Sequence, residues 1–258
     1  MSLLEAIILG FIQGMSEFLP VSSSGHLMVF HHVFGIVAED NLTFIIVLNM
    51  GSLLPLLFVF RTDIWKLVRN PFQKTMKLLI IATIPLIVVT LLFEGFVDSI
   101  FHIVHILPFG FVITGIVLLL TDRLKNNTKD MENTNFIAAA LIGCAQAVAI
   151  IPGISRSGST ISVAMAKGLN RESAARFSFL MSIPAAIGAM IYRLSRIVAD
   201  PVLVEGLNFT NLAAGFITAA ITGYLSINVM LAIVKKAKLK YFALYYVFAL
   251  AILIFLAF

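Results

Sequence analysis

Two apolar stretches of this chain stop short of a full bilayer span, and each is broken by a proline followed by hydroxyl residues. In the first, Glu5 to Phe18 carries a helical pattern that Gln13 and Glu17 interrupt. Pro20 stops it, Ser22 to Gly25 is turn chemistry, and a short apolar segment, His26 to Val37, follows. In the second, Phe136–Ile151 ends at Pro152, Ser155–Thr160 is polar, and Ile161–Gly168 is again short and apolar. A half-helix, a polar turn and a second half-helix predict a re-entrant hairpin. Non-helical backbone is tolerated at membrane depth only where protein or a wet cavity surrounds it.

The rest of the chain supplies that surrounding. Leu42–Phe60, Leu78–Phe96, Ile103–Thr121, Ala174–Tyr192, Leu212–Val234 and Tyr241–Phe258 are each near the roughly 20 apolar residues a span requires. With 60% hydrophobic and 12% charged residues over 258 positions, little is left for a soluble domain, so residues 1–258 read as one membrane domain. The N-terminus lacks the basic flank of a cleavable signal peptide, and the single cysteine, Cys144, excludes an intrachain disulfide.

The chain also repeats itself. Adding 133 to the residue number takes Gly10 to Gly143, Gln13 to Gln146, Ser22 to Ser155, Ser24 to Ser157, Gly25 to Gly158 and Phe44 to Phe177. The expected fold is therefore an all-α polytopic membrane protein. It has two repeats, about 1–125 and 134–258, each a re-entrant hairpin followed by three transmembrane helices. Three spans per repeat make the second repeat inverted relative to the first. Under that topology Arg61, Lys66, Arg69, Lys74, Lys77, Arg123, Lys125, Lys129, Lys167, Arg171, Lys235, Lys236, Lys238 and Lys240 fall on one side, and only Arg193 and Arg196 on the other. The positive-inside rule then puts both termini outside and lets the hairpin tips meet within the bilayer. The net charge of +5 is accounted for by orientation, and a nucleic-acid partner is not expected.

Gln13 and Glu17, four residues apart, share a helix face. A carboxylate inside a membrane segment is by default a functional-site hypothesis; the plainer reading is a side chain that snorkels to water. Glu17 suits a divalent metal, with Gln13 supplying a carbonyl oxygen. Ser22, Ser23, Ser24 and Gly25 form a turn whose hydroxyls and N–H groups suit an anion, or serve only as a helix cap. His26 is a candidate acid, base or nucleophile, whereas His31 and His32 read as packing and His102 and His105 as solvated. Arg156 stands alone in apolar surroundings, and its planar fork suits phosphate; the alternative is an ion pair with Glu17, which would itself join the hairpins. Gly153 and Gly158 permit close backbone approach, and Ser155, Ser157, Ser159 and Thr160 add donors. These are the components of phosphoryl chemistry. The chain has no nucleotide-binding loop, and a bilayer-embedded site implies a lipid with a phosphate head group.

At Gln13-Gly-Met-Ser-Glu17, continuing through Phe18-Leu-Pro-Val-Ser-Ser-Ser-Gly-His26, and at Pro152-Gly-Ile-Ser-Arg-Ser-Gly-Ser-Thr160, the sequence resembles the undecaprenyl-diphosphatase family of bacteria, also called bacitracin-resistance proteins. Gln13 is the neutral option at its motif position. The resemblance implies hydrolysis of undecaprenyl diphosphate to undecaprenyl phosphate and inorganic phosphate, which recycles a cell-wall carrier lipid. It also implies a divalent metal ion (Mg2+ or Ca2+), a plasma-membrane location and a site opening to the outer face. Carried onto this chain, Glu17 and Gln13 hold the metal, and Arg156, Ser155, Ser157 and Thr160 bind phosphate oxygens. Ser22, Ser24, Gly25 and Gly153 complete the phosphate site. Ser23 is the nucleophile and His26 its base; water attack, or His26 as nucleophile, is the alternative. A different class, a polyprenyl-phosphate transporter using the same anion site, is also compatible with inverted repeats and broken helices. Self-association is open, since small residues such as Gly215 and Ala219 permit helix contact, a homodimer included.

Overall fold

Ser2 opens the first helix with a capping box: its Oγ accepts from the Glu5 N–H at 3.3 Å, and the Glu5 carboxylate accepts from the Ser2 N–H at 2.7 Å. Helix α1 (Leu3–Phe18) ends where Pro20 forces Leu19 into extended backbone, and α2 (Ser23–Val33) follows. The first half continues with α3 (Leu42–Val59), α4 (Arg61–Arg69), α5 (Lys74–Leu92), α6 (Glu94–Ile100) and α7 (Leu107–Thr121). The second half comprises α8 (Phe136–Val148), α9 (Arg156–Ala166), α10 (Arg171–Ala199), α11 (Phe209–Lys236) and α12 (Lys240–Ala257). This computed structural model describes residues 1–35, 42–100, 103–124, 127–199, 208–236 and 239–257. The expectations for Val37, His102, Lys125, Lys238 and Phe258, and for the side chains of Arg193, Arg196 and Lys236, lie outside the described residues.

Both broken segments form as expected, each a pair of short helices around its proline. The long spans differ at α3 and α12. Lys74–Leu92, Val104–Thr121, Arg171–Tyr192 and Phe209–Lys235 are long and apolar enough to cross a membrane. The expected span Leu42–Phe60 instead turns by 76° into α4 and counts as a fifth only if the bent pair is one span. Arg61, Asp63, Lys66 and Arg69 cannot follow α3 through hydrocarbon. They lie on an amphipathic helix whose Trp65 and Val68 are 66% and 63% exposed, the composition of an interfacial segment. The sixth expected span is α12, whose described apolar part is the shorter Lys240–Ala251. Phe58, Leu91, Phe109, Ile137 and Val247 are exposed on outer faces, as lipid contact requires and water would not allow.

Missing side chains permit the tightest helix contacts. Helix α1 packs along α11, where a Cβ at Gly14 would stand 2.1 Å from Thr222 Oγ1 and 2.5 Å from the Ala219 carbonyl oxygen. Helix α8 packs along α5 in the same way, since a Cβ at Gly143 would stand 2.2 Å from the Ala82 carbonyl oxygen. Helix α11 also packs on α3, α10 on α3 and α5, and α7 on α12. Small residues at such contacts let backbones approach in a medium that gives apolar association no hydrophobic drive.

The charged loops gather at one end. Arg176 binds both Asp63 carboxylate oxygens at 2.8 and 2.7 Å, and Lys235 pairs with Glu172 at 2.9 Å. Asp122, at the end of α7, accepts from the Leu239 and Lys240 N–H groups at 2.9 Å each and pairs with Arg171 at 3.4 Å. Asp122 thereby caps α12 from another helix.

Candidate functional site

The two prolines place two helix starts against each other. Ser22, at φ 68° the one non-glycine residue with positive φ among the described residues, caps α2 by accepting from the Gly25 N–H at 3.3 Å. Ser155, in ordinary extended backbone, caps α9 through the same bond, accepting from the Gly158 N–H at 3.1 Å. Gly153, at φ 88°, lies in the left-handed region that favours glycine, and its neighbour across the interface must also be small: a Cβ on Gly25 would stand 3.2 Å from the Gly153 Cα and 2.6 Å from the Phe111 ring. The hairpins are tied directly where Ser157 Oγ donates to the Leu19 carbonyl at 3.0 Å.

Glu17 is the hub. Its Oε1 accepts from Arg156 Nη2 at 2.5 Å, and its Oε2 accepts from Ser23 Oγ at 2.6 Å and from Gln13 Nε2 at 3.1 Å. Gln13 is buried and also donates to Asn49 Oδ1 at 2.9 Å and towards Ser52 Oγ at 3.3 Å. Four of the expected residues, Gln13, Glu17, Ser23 and Arg156, therefore form one connected cluster drawn from both hairpins. Glu17 and Arg156 open onto a cavity of about 220 Å³ that Asn49, Ser52, Gln146 and Ser182 also line. Phe18, Leu53, Leu56 and Met190 provide apolar wall.

The remaining candidates are placed differently. His26 does not pair with Ser23. Its Nδ1–H donates to the Ser22 carbonyl at 2.7 Å, which leaves Nε2 to accept from the Tyr245 hydroxyl. His26 lines a separate, apolar groove of about 610 Å³ with Phe11, Met15, Phe30 and Tyr245, and that groove includes neither Glu17 nor Arg156. Thr160, fully buried, donates to the Arg156 carbonyl at 2.8 Å and bonds Ser178 Oγ at 2.6 Å, so it secures the first turn of α9. Ser155 receives further support where its N–H donates to Thr114 Oγ1 at 3.0 Å. Ser24 approaches Ser22 Oγ at 3.4 Å.

Sequence reasoning missed Asn49, Ser52 and Tyr245. Asn49 and Ser52 had a signal: polar side chains three apart in an apolar span point inward. Tyr245 had none, because tyrosine is ordinary at a membrane interface.

The site's fit to a divalent ion follows from its donors. Glu17 is the one carboxylate in the cluster, and among the described residues no group of three His, Cys, Asp or Glu side chains could hold a metal. One carboxylate with carbonyl and hydroxyl neighbours suits an ion such as Mg2+, which completes its shell with water and substrate phosphate, better than an all-protein cage.

The family model for the bacitracin resistance protein BacA matches residues 6–253 of this chain. An undecaprenyl-diphosphatase of Carboxydothermus hydrogenoformans is 42% identical over 254 residues, covering 98% of this chain and 97% of the relative. Undecaprenyl-diphosphatase 4 of Bacillus thuringiensis (strain Al Hakam) is 41% identical over 254 residues, covering 98% and 96%. An undecaprenyl-diphosphatase of Methanobrevibacter smithii is 36% identical over 277 residues, covering 99% and 98%.

Proposed function

The chain belongs to the BacA family of bacitracin resistance proteins, and on that premise we propose that it hydrolyses undecaprenyl diphosphate to undecaprenyl phosphate and inorganic phosphate within the plasma membrane. Bacitracin resistance follows, as the family's name implies. One observation carries the reading: Ser23 from one hairpin and Arg156 from the other meet on a single carboxylate, Glu17, and Glu17 and Arg156 line a cavity between apolar helices. The relatives above bear a diphosphatase's name, so the transporter reading is not carried further.

In the proposed mechanism Arg156 and the N–H groups at the starts of α2 and α9 receive the phosphate oxygens and offset their charge. Ser23 Oγ attacks the terminal phosphorus while its proton passes to Glu17 Oε2. The phosphorus–oxygen bond to undecaprenyl phosphate breaks and that product leaves. Water then hydrolyses the phosphoserine, Glu17 returns the proton to Ser23, and inorganic phosphate departs. A divalent ion held by Glu17, with water and substrate oxygens completing its shell, would supply charge neutralisation to the diphosphate; Gln13, expected to lend a carbonyl oxygen, instead turns its Nε2 towards Glu17 and Asn49. His26 becomes a positioning residue: bonded to the Ser22 carbonyl and Tyr245, it braces the strained turn that presents Ser23.

The proposed architecture is an inverted repeat with both termini and the site's mouth outside. Its support is the exchange of halves: with 133 added, the contact of Gly10 with the Gly215 carbonyl becomes that of Gly143 with Ala82, and the approach of Gly25 to Gly153 becomes that of Gly158 to Pro20. The pairings α1–α11 and α8–α5 exchange likewise. The common end that collects Asp63, Asp122, Arg171, Arg176 and Lys235 is proposed as cytoplasmic, from its basic loops. The function is tested by phosphate release from undecaprenyl diphosphate in detergent. Well-folded wild-type protein that releases none with added Mg2+ would exclude it.

A further inference from the structure

Resting on that reading of the cavity, we infer that Gln146 is a further substrate-binding residue, whose carboxamide N–H donates to a phosphate oxygen of the diphosphate head group. Gln146 lies on α8, lines the cavity shared by Glu17 and Arg156, and is 2% exposed. Neither its Nε2 nor its Oε1 has a hydrogen-bond partner in the protein. The Nε2 of its counterpart in the first half, Gln13, by contrast points to three acceptors, on Glu17, Asn49 and Ser52.

The contrast has a local cause. Where α3 offers Gln13 the side chain of Asn49, the corresponding position on α10 is Ser182, whose hydroxyl donates to the Phe179 carbonyl at 2.7 Å. Where α3 has Ser52, α10 has Ala185, which also lines the cavity. The first half thus uses its glutamine to orient Glu17, and the second leaves its glutamine buried and unpaired beside the cavity.

A primary amide with both ends unpaired is unfavourable in apolar surroundings, and buried polar groups of proteins are nearly always matched. The cavity presents the other requirements of a phosphate site: Arg156 as cation, the start of α9 behind it, and apolar walls that strengthen each hydrogen bond. A diphosphate brings an excess of acceptor oxygens, which the two N–H donors of Gln146 match.

The test uses the full chain, purified in detergent with Mg2+, and inorganic pyrophosphate as probe. Gln146→Met replaces an unpaired amide with an apolar chain of similar length. Its unliganded melting temperature is expected at or above that of wild type, while the stabilisation by pyrophosphate is lost. Turnover of undecaprenyl diphosphate, as kcat/KM, should fall by about 10- to 100-fold, the range for one hydrogen bond to a charged group. A lower melting temperature with the pyrophosphate response intact would make Gln146 structural and overturn the inference. So would a wild-type protein indifferent to pyrophosphate. If Gln146→Met fails to fold, Gln146→Glu decides: a carboxylate there should abolish the response, and a retained response overturns the inference. Wild type that binds pyrophosphate but releases no phosphate from the lipid would instead sink the proposed hydrolysis and leave the Gln146 contact standing.

Discussion

Glu17 and Arg156 are 139 positions apart in sequence and 2.5 Å apart in space, so the ion pair should hold the two hairpins together as well as build the site. Truncating one partner of a fully buried pair costs about 3–5 kcal/mol, and an exposed pair contributes about 0–1. Here the side chains are 21% and 22% exposed, which places the pair between those limits. Glu17 also keeps donors from Ser23 and Gln13 when Arg156 is lost, which softens its isolation. Arg156→Met and Glu17→Gln should therefore each cost about 2 kcal/mol of unfolding free energy. The double variant carries neither charge and should lie within about 1 kcal/mol of wild type, a coupling of at least about 3 kcal/mol. Denaturant unfolding of the four proteins in one mixed-micelle condition reads this directly. Single costs that add to within about 0.5 kcal/mol would refute the pairing, because independent sites add to that tolerance.

Ser23→Ala should abolish turnover, whereas Tyr245→Phe, which removes only the bond to His26, should reduce kcat by less than about tenfold, as one neutral hydrogen bond allows. A Tyr245→Phe loss of about 10²-fold or more would instead place His26 in proton transfer, the range of general acid–base catalysis. Gly14→Ala should force α1 off α11 and cost about 1–3 kcal/mol by overpacking, measured as a lower melting temperature in detergent; an unchanged value would contradict the contact with Thr222 and Ala219. EDTA should stop phosphate release and Mg2+ restore it, since one carboxylate forms no tight cage; full activity after exhaustive chelation would remove the metal from the proposal.

The parts legible in the sequence were those written as punctuation. Pro20 and Pro152 mark breaks because serine-rich turns follow them and cap the next helices, whereas Pro55, Pro85 and Pro184 lie inside helices; an acid and a cation in otherwise apolar hairpins are natural partners. The end of this span at Phe60 was legible from the charges that follow it, but that Arg61–Arg69 forms a helix turned 76° from α3 was not, because a charged loop and an interfacial helix share that composition. The role of Gln13 was half legible: its place beside Glu17 follows from i, i+4 spacing, but its donation to Asn49 and Ser52 depends on how α3 packs. The expected pairing of Ser23 with His26 came from the family resemblance. In the structure His26, four residues after Ser22, bonds the Ser22 carbonyl, a contact that depends on how α2 begins.

Phosphate release from undecaprenyl diphosphate by the purified protein in detergent, beside Glu17→Ala and Arg156→Ala, tests the central claim most directly. The account predicts release by wild type and a loss of about 10³-fold or more in each variant, the scale of an arginine that stabilises phosphoryl transfer, with both variants folded. Variants that retain turnover within tenfold of wild type would contradict a single site built from both hairpins.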